Sequence, residues 1–150
     1  MNYKGHLTTG LVIGFIYIVI MHFTLGVYAF SSLNILTYIA IITLFSLLPD
    51  ADHQSSKITW WLLGFGILGA WIGYWRHDNP VILYSLIVLA VTYIISRFTK
   101  HRGFTHTIWF PIIAAVLITY FSNIQFGSLA FVSTISHYIA DQHNPFKKPW

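Results

Sequence analysis

The sequence contains no cysteine and no glutamate, and only 8% of its 150 residues carry a charge. The lack of cysteine excludes disulfides and thiolate ligands, so any metal must be held by imidazole and carboxylate groups. Soluble domains carry about 25% charged residues, whereas this chain is 56% hydrophobic with a mean hydropathy of +0.67. The composition therefore excludes an ordinary soluble domain and indicates that lipid surrounds most of the surface.

Six apolar segments follow one another along the chain and predict a single membrane-embedded domain over residues 1–150. They are Leu7–Phe30, Ser32–Leu48, Ile58–Trp75, Val81–Ser96, Thr107–Phe121 and Phe126–Ala140. A helix needs about 20 residues to cross the hydrocarbon core, and the last two segments are shorter. The prediction is an all-α, polytopic membrane helical bundle of about six transmembrane helices, in which Pro49 marks the end of the second crossing.

Two glycine pairs have the small-x-x-x-small spacing that lets transmembrane helices approach closely. They are Gly10 with Gly14 and Gly69 with Gly73. Because glycine is common in such helices, a packing role and a chance occurrence are both open for these pairs.

Four polar clusters interrupt this apolar pattern: Gly5-His6, Pro49–His53, His101–Thr107, and His137 with Asp141. With six crossings, all four clusters fall on the same side of the membrane as the N-terminus. That side also holds the basic residues Lys4, Lys57, Arg97, Lys100, Arg102, Lys147 and Lys148. The opposite side holds Arg76 alone, so the positive-inside rule predicts that the clusters and both termini are cytoplasmic.

The residues of the clusters are of the types that bind a divalent metal. Asp50-Ala51-Asp52 offers two carboxylates, and His137 and Asp141 are four apart, so they share one face of a helix. A solvated loop and chance spacing are the plain alternatives for these two groups. The predicted metal ligands are His6, Asp50, Asp52, His53, His106, His137 and Asp141.

The third cluster also contains candidates for catalysis. Gly103 permits a tight turn, and Thr105 or Thr107 can cap the fifth helix. His101 is a candidate general base or further ligand, and Arg102 is suited to developing negative charge on a substrate. His53 is counted both as a ligand and as a catalytic candidate. Three other histidines are set aside. His22 lies within an apolar segment, His77 lies on the opposite side of the membrane, and His143 lies in the C-terminal tail.

These motifs resemble those of the YdjM-type family of inner-membrane-associated proteins, described as LexA-binding and expected to be metal-dependent hydrolases. The resemblance is carried, in the family's order, by Gly5-His6-Leu7, Leu48–His53, His101–Thr107 and Ser136–Asp141. It implies a metallohydrolase of the bacterial cytoplasmic membrane. The chain departs from the family pattern after Asp141, because residues 142–150 replace a longer tail.

The leading hypothesis is therefore a membrane-bound metal-dependent hydrolase. It would use one or two divalent ions, with zinc as the default for His and Asp ligands and manganese as an alternative, to lower the pKa of a bound water to about 7. The basic side would attract anionic lipid headgroups, so a phosphoester of a lipid or lipid-linked molecule is the expected substrate. No nucleic-acid partner is expected.

Two other classes of function stay open on the sequence alone. The first is a non-catalytic membrane scaffold with a structural metal and a cytosolic protein partner, as the LexA-binding description of the family suggests. The second is a metal-ion transporter, which would place polar ligands at the middle of the membrane as well. The middles of the apolar segments contain almost no ionisable groups apart from His22, which disfavours the transporter.

Overall fold

The computed structural model describes residues 3–53, 55–98 and 103–141, which form helices and short connections without a strand. The six predicted apolar segments each correspond to one α-helix within these ranges. The helices are α1 (Tyr3–Leu25), α2 (Ser32–Leu47), α3 (Lys57–Arg76), α4 (Asn79–Phe98), α5 (Trp109–Phe121) and α6 (Ile124–Ala140). Two 3-10 helices, Leu48–Asp52 and Phe104–His106, precede α3 and α5. The all-α prediction is confirmed.

The largest difference from the predicted segments is at the end of the first helix. α1 ends at Leu25 rather than near Phe30, because Gly26 adopts a left-handed conformation with φ of +64° and its N–H donates to the His22 carbonyl. The following loop returns to the bundle, where the Tyr28 ring is buried and its hydroxyl donates to the Gln125 carbonyl at 2.7 Å. The second helix ends as predicted, since Pro49 lies in the 3-10 helix that follows Leu47.

The chain divides into two compact units, with the boundary between Pro49 and Asp50 and between Gly103 and Phe104. In the first unit α6 packs against α1, α2 and α5, and α1 also packs against α2. The core of this unit is formed by Ile18, Tyr28, Tyr38, Ile42 and Leu129. The second unit is a hairpin of α3 and α4. The expectation of one domain over residues 1–150 stays a prediction.

Both glycine pairs lie at close helix contacts. A Cβ atom on Gly10 would lie 2.5 Å from the Ser46 Cβ, and one on Gly14 would lie 2.7 Å from the Ile42 Cδ1. In the second unit, a Cβ on Gly69 would clash with the Ser85 hydroxyl, and one on Gly73 would lie 3.0 Å from the Ile82 backbone nitrogen. The packing role that the spacing left open is therefore confirmed for both pairs.

A Gly10→Leu substitution is expected to separate α1 from α2 and lower the free energy of unfolding by about 1–3 kcal/mol, the usual cost of overpacking. Gly64→Leu is the matched control, because a Cβ at Gly64 would meet nothing within 4 Å. Thermal unfolding of the two variants in detergent measures the difference. Equal melting temperatures would contradict the close α1–α2 contact.

Four stretches of the described chain are long and apolar enough to cross a membrane. They are Tyr3–Leu25, Ser32–Asp52, Lys57–Arg76 and Asn79–Arg97. Trp109–Phe121 is apolar but has only 13 residues, and α6 has 17 residues. The structure thus supports a membrane protein with several spanning helices, whereas the count of six crossings stays a prediction.

Candidate metal centre

Four helices of the first unit meet at one end, and that end holds the polar side chains. His6 lies in the first two turns of α1, and Ser46 lies in the last turn of α2. His106 closes the 3-10 helix before α5, and His137 lies in the last turn of α6. Because α1 and α5 start at this end while α2 and α6 finish there, residues far apart in the chain come together.

Asp141, the C-cap of α6, lies at the centre of this cluster. Its Oδ1 is 3.3 Å from the His6 Nε2, and its Oδ2 is 3.8 Å from the His137 Nε2 and 3.9 Å from the His106 Nε2. Each of the three imidazoles thus directs the same ring nitrogen towards one carboxylate. Ligand atoms of His6, His137 and Asp141 all lie within 4.8 Å of one another.

The orientation of His137 follows from a hydrogen bond to the backbone of α2. Its Nδ1 lies 2.8 Å from the Ser46 carbonyl oxygen, which can only accept, so Nδ1 is the protonated nitrogen that donates. Nε2 of the neutral ring is then the atom with a lone pair, and it is the atom that faces Asp141. The His6 ring stacks on the His137 ring with centroids 4.0 Å apart, and the His106 ring meets it edge-on at 5.3 Å.

His106 is held by the turn that precedes α5 and by α6. The Tyr138 hydroxyl donates to the Thr105 and Thr107 carbonyls, and the His106 Nδ1 lies 3.2 Å from the Thr105 hydroxyl. The prediction that a threonine caps α5 is wrong. Ile108 is the N-cap, and its side chain makes no capping hydrogen bond. The Thr107 hydroxyl donates to the Phe104 carbonyl, three residues earlier in the chain, and so does not cap the helix.

The cluster is almost completely removed from solvent. His6, His106 and His137 are at most 1% exposed, and the Asp141 side chain is 5% exposed. Burial acts to raise the pKa of the Asp141 carboxyl, yet this pKa lies below its ordinary value. Asp141 is therefore an anion at neutral pH. A cation bound between the carboxylate and the surrounding imidazoles would be attracted to its negative charge.

The donor set fits a divalent metal ion, and the spacing expected around zinc gives a comparison. Imidazole nitrogen and carboxylate oxygen bind zinc at about 2.0–2.2 Å in a tetrahedron, which places neighbouring ligand atoms roughly 3.3–3.5 Å apart. The separations of 3.3 to 3.9 Å between the carboxylate oxygens and the three Nε2 atoms are close to this spacing. His6, His137 and Asp141 could therefore hold one metal ion, and the His106 Nε2 lies 3.9 Å from the same carboxylate.

The predicted site residues Asp50, Asp52 and His53 belong to the second unit of the chain. Asp50 and Asp52 belong to the 3-10 helix Leu48–Asp52, in which Asp52 is buried and Asp50 is half-buried. His53 is exposed, and its Nδ1 lies 2.8 Å from the Ser55 hydroxyl. The Thr59 hydroxyl donates to the Ala51 and His53 carbonyls and so ties this segment to α3. His101 and Arg102 lie outside the described residues.

Sequence reasoning missed three contributions. The Ser46 carbonyl orients His137, and the Tyr138 hydroxyl binds the backbone on both sides of His106. Neither has a signal of its own, because a carbonyl belongs to every residue and a tyrosine near a helix end suggests an interfacial anchor. The position of Tyr138 directly after His137 was the only hint. His22, set aside because it lies within an apolar segment, donates from Nδ1 to the Tyr28 carbonyl beyond the C-terminal end of α1.

A comparison against protein families assigns the chain to a family. A family model described as "YdjM inner membrane protein" matches residues 1–150, the whole chain. Comparisons with curated proteins and with solved structures found no match. The chain belongs to the YdjM family of inner membrane proteins, as its four polar motifs predicted.

Proposed function

We propose that this protein is a membrane-bound metal-dependent hydrolase that cleaves a phosphoester of a lipid or lipid-linked substrate. The observation that carries the proposal is the convergence of three buried Nε2 atoms on the Asp141 carboxylate at the end of a bundle of apolar helices. Polar groups this deeply buried are costly unless they bind something. A cation would offset that cost by binding to all four side chains.

His6, His106, His137 and Asp141 are the proposed core ligands. The proposed further ligands are Asp50, Asp52 and His53. Six or seven ligands would be enough for two ions, zinc first and manganese second by the chemistry of nitrogen and oxygen donors.

The remaining polar residues have proposed roles in the reaction. A bound divalent cation would supply Lewis acidity and would bring the pKa of a water molecule near 7. His101 or His53 would accept the proton of that water as a general base. The Arg102 guanidinium would stabilise the negative charge that develops on the phosphoryl oxygens.

The choice of a lipid phosphoester is supported by the surroundings of the cluster. The helices that carry it are apolar, and the six-crossing topology predicts seven of the eight basic residues on the same side of the membrane as the cluster. Anionic headgroups are attracted to such a surface by about 1 kcal/mol for each basic residue. The cluster and both chain termini are accordingly proposed to face the cytoplasm.

The experiment combines metal content with an assay of headgroup release. Purified protein is analysed by elemental mass spectrometry and incubated with vesicles that contain phosphatidic acid or a phosphodiester lipid. About one or two zinc or manganese ions per chain are expected, with hydrolysis that stops after chelation and returns when the metal is restored. An Arg102→Ala variant is expected to keep its metal and to lose roughly 100-fold in kcat.

Arg76→Ala is the matched control, since Arg76 is an exposed residue at the end of α3. The six-crossing topology predicts that it lies on the opposite side of the membrane from the cluster. It should hydrolyse lipid at the wild-type rate. A folded protein that binds no zinc or manganese after reconstitution would rule out the metallohydrolase. The scaffold that tethers a cytosolic partner would then be the better description.

A structural metal in a non-catalytic protein is the second candidate. The observation in its favour is the depth of the site, because structural metals are closed off by protein ligands whereas catalytic metals keep an open position. Metal exchange separates the two candidates. A catalytic ion should exchange with added cobalt within the time of the assay, and a structural ion should resist exchange while no lipid is hydrolysed.

A further inference from the structure

Tyr138 makes two hydrogen bonds that join α6 to the turn carrying His106. Its hydroxyl donates towards the Thr105 carbonyl at 2.7 Å and the Thr107 carbonyl at 3.1 Å. The side chain is 1% exposed, and its ring lies 5.9 Å from the His106 ring, centroid to centroid. One hydroxyl therefore binds the backbone on both sides of His106.

This arrangement matters because His106 lies in a short element outside the long helices. The 3-10 helix Phe104–His106 has only three residues, and such short helices have poorer hydrogen-bond geometry than α-helices. By contrast, α6 is a regular helix, and it holds His137 in its last turn and Asp141 at its C-cap. Tyr138 belongs to the same helix and transfers its rigidity to the turn.

We propose that Tyr138 is a positioning residue that holds the His106 imidazole at the distance and angle needed for metal binding. The inference rests on the proposed metal site and adds to it a residue that contacts neither metal nor substrate. It also follows the general behaviour of metal sites, in which partners of the ligands set ligand orientation and their loss weakens metal affinity by about 10–100-fold.

The test is a Tyr138→Phe variant, compared with a Tyr28→Phe variant as the matched control. Tyr28 is also 1% exposed, and its hydroxyl donates to the Gln125 carbonyl at 2.7 Å and contacts the Ser128 hydroxyl, at the far end of the same bundle. Both substitutions remove one buried hydroxyl and keep the ring. Zinc affinity is measured by competition with a chelator, and the visible absorption spectrum of the cobalt-loaded protein reports ligand geometry.

The expected result is that Tyr138→Phe weakens zinc binding by about tenfold or more and changes the cobalt spectrum. Tyr28→Phe should lower the melting temperature by a similar amount and leave affinity and spectrum as in the wild type. This contrast separates positioning from stability, because a purely structural tyrosine would move the melting temperature alone.

Three results would overturn the inference. The first is wild-type zinc affinity and spectrum in both variants, and the second is equal weakening in both. The third is a Tyr138→Phe chain that does not fold while Tyr28→Phe does, which would assign the hydroxyl to the fold. If the wild type itself binds no metal, the proposed function fails, and that failure is read from the wild type before any variant is compared.

Discussion

Asp141→Asn is expected to weaken metal binding by roughly 100- to 1000-fold and to reduce lipid hydrolysis to the background. Structural zinc in small proteins is bound with about 10–16 kcal/mol, and one of four ligands accounts for roughly a quarter of this, which converts to that range of affinities. The substitution keeps the size and shape of the side chain, so that the lost charge and the lost oxygen are the main changes.

The geometry explains why an amide cannot replace the carboxylate. Oδ1 faces His6 and Oδ2 faces both His137 and His106, so each oxygen is directed at a ligand nitrogen. Asparagine has one oxygen and one NH₂ group, and the NH₂ group is a donor that cannot bind a cation. Either orientation of the amide therefore removes an oxygen from one side of the cluster.

Asp78→Asn is the matched control for this change. The Asp78 Oδ1 accepts from the Val81 N–H at the start of α4, a capping role in which asparagine serves about as well as aspartate. Metal content and chelator competition should therefore be unchanged in Asp78→Asn. If Asp141→Asn held zinc as tightly as Asp78→Asn, the carboxylate could not be a ligand and the proposed centre would be wrong.

His137→Ala is expected to have the second large effect, a combined loss of metal and of stability. The ring is fully buried between the His6 and His106 rings. Its removal leaves a gap among them and takes the donor from the buried Ser46 carbonyl, which costs about 1–3 kcal/mol. Metal binding adds a further term in the wild type, about 2.7 kcal/mol when the free metal is at 100 times its Kd.

The two terms are separated by measuring the melting temperature with and without chelator. Chelation should lower the melting temperature of the wild type and leave that of His137→Ala unchanged, because the variant has no metal to lose. His22→Ala is the control, since His22 likewise donates from Nδ1 to a backbone carbonyl, that of Tyr28. Its melting temperature should fall but stay sensitive to chelator. Chelator sensitivity in His137→Ala would contradict the ligand role.

Several properties were predictable because they depend on short stretches of sequence. Hydropathy located the six helices to within a few residues in most cases, and the main error came at Gly26, where a left-handed residue ended α1 early. The His137–Asp141 spacing of four residues placed both groups at the same end of one helix face. The motif order also identified the family, which a match over the whole chain confirmed.

The sequence by itself determined that this is a helical membrane protein and that any metal must have nitrogen and oxygen ligands, because composition and local periodicity decide both. Only the tertiary structure decided that His6 and His106 meet Asp141, that Ser46 orients His137 and that Tyr138 holds the turn beside His106. These contacts join residues up to 135 positions apart, and they exist because Gly10 and Gly14 let α1 approach α2 while α6 packs against both. Packing of that kind depends on the shapes of all four helices together, which no single stretch of the chain contains.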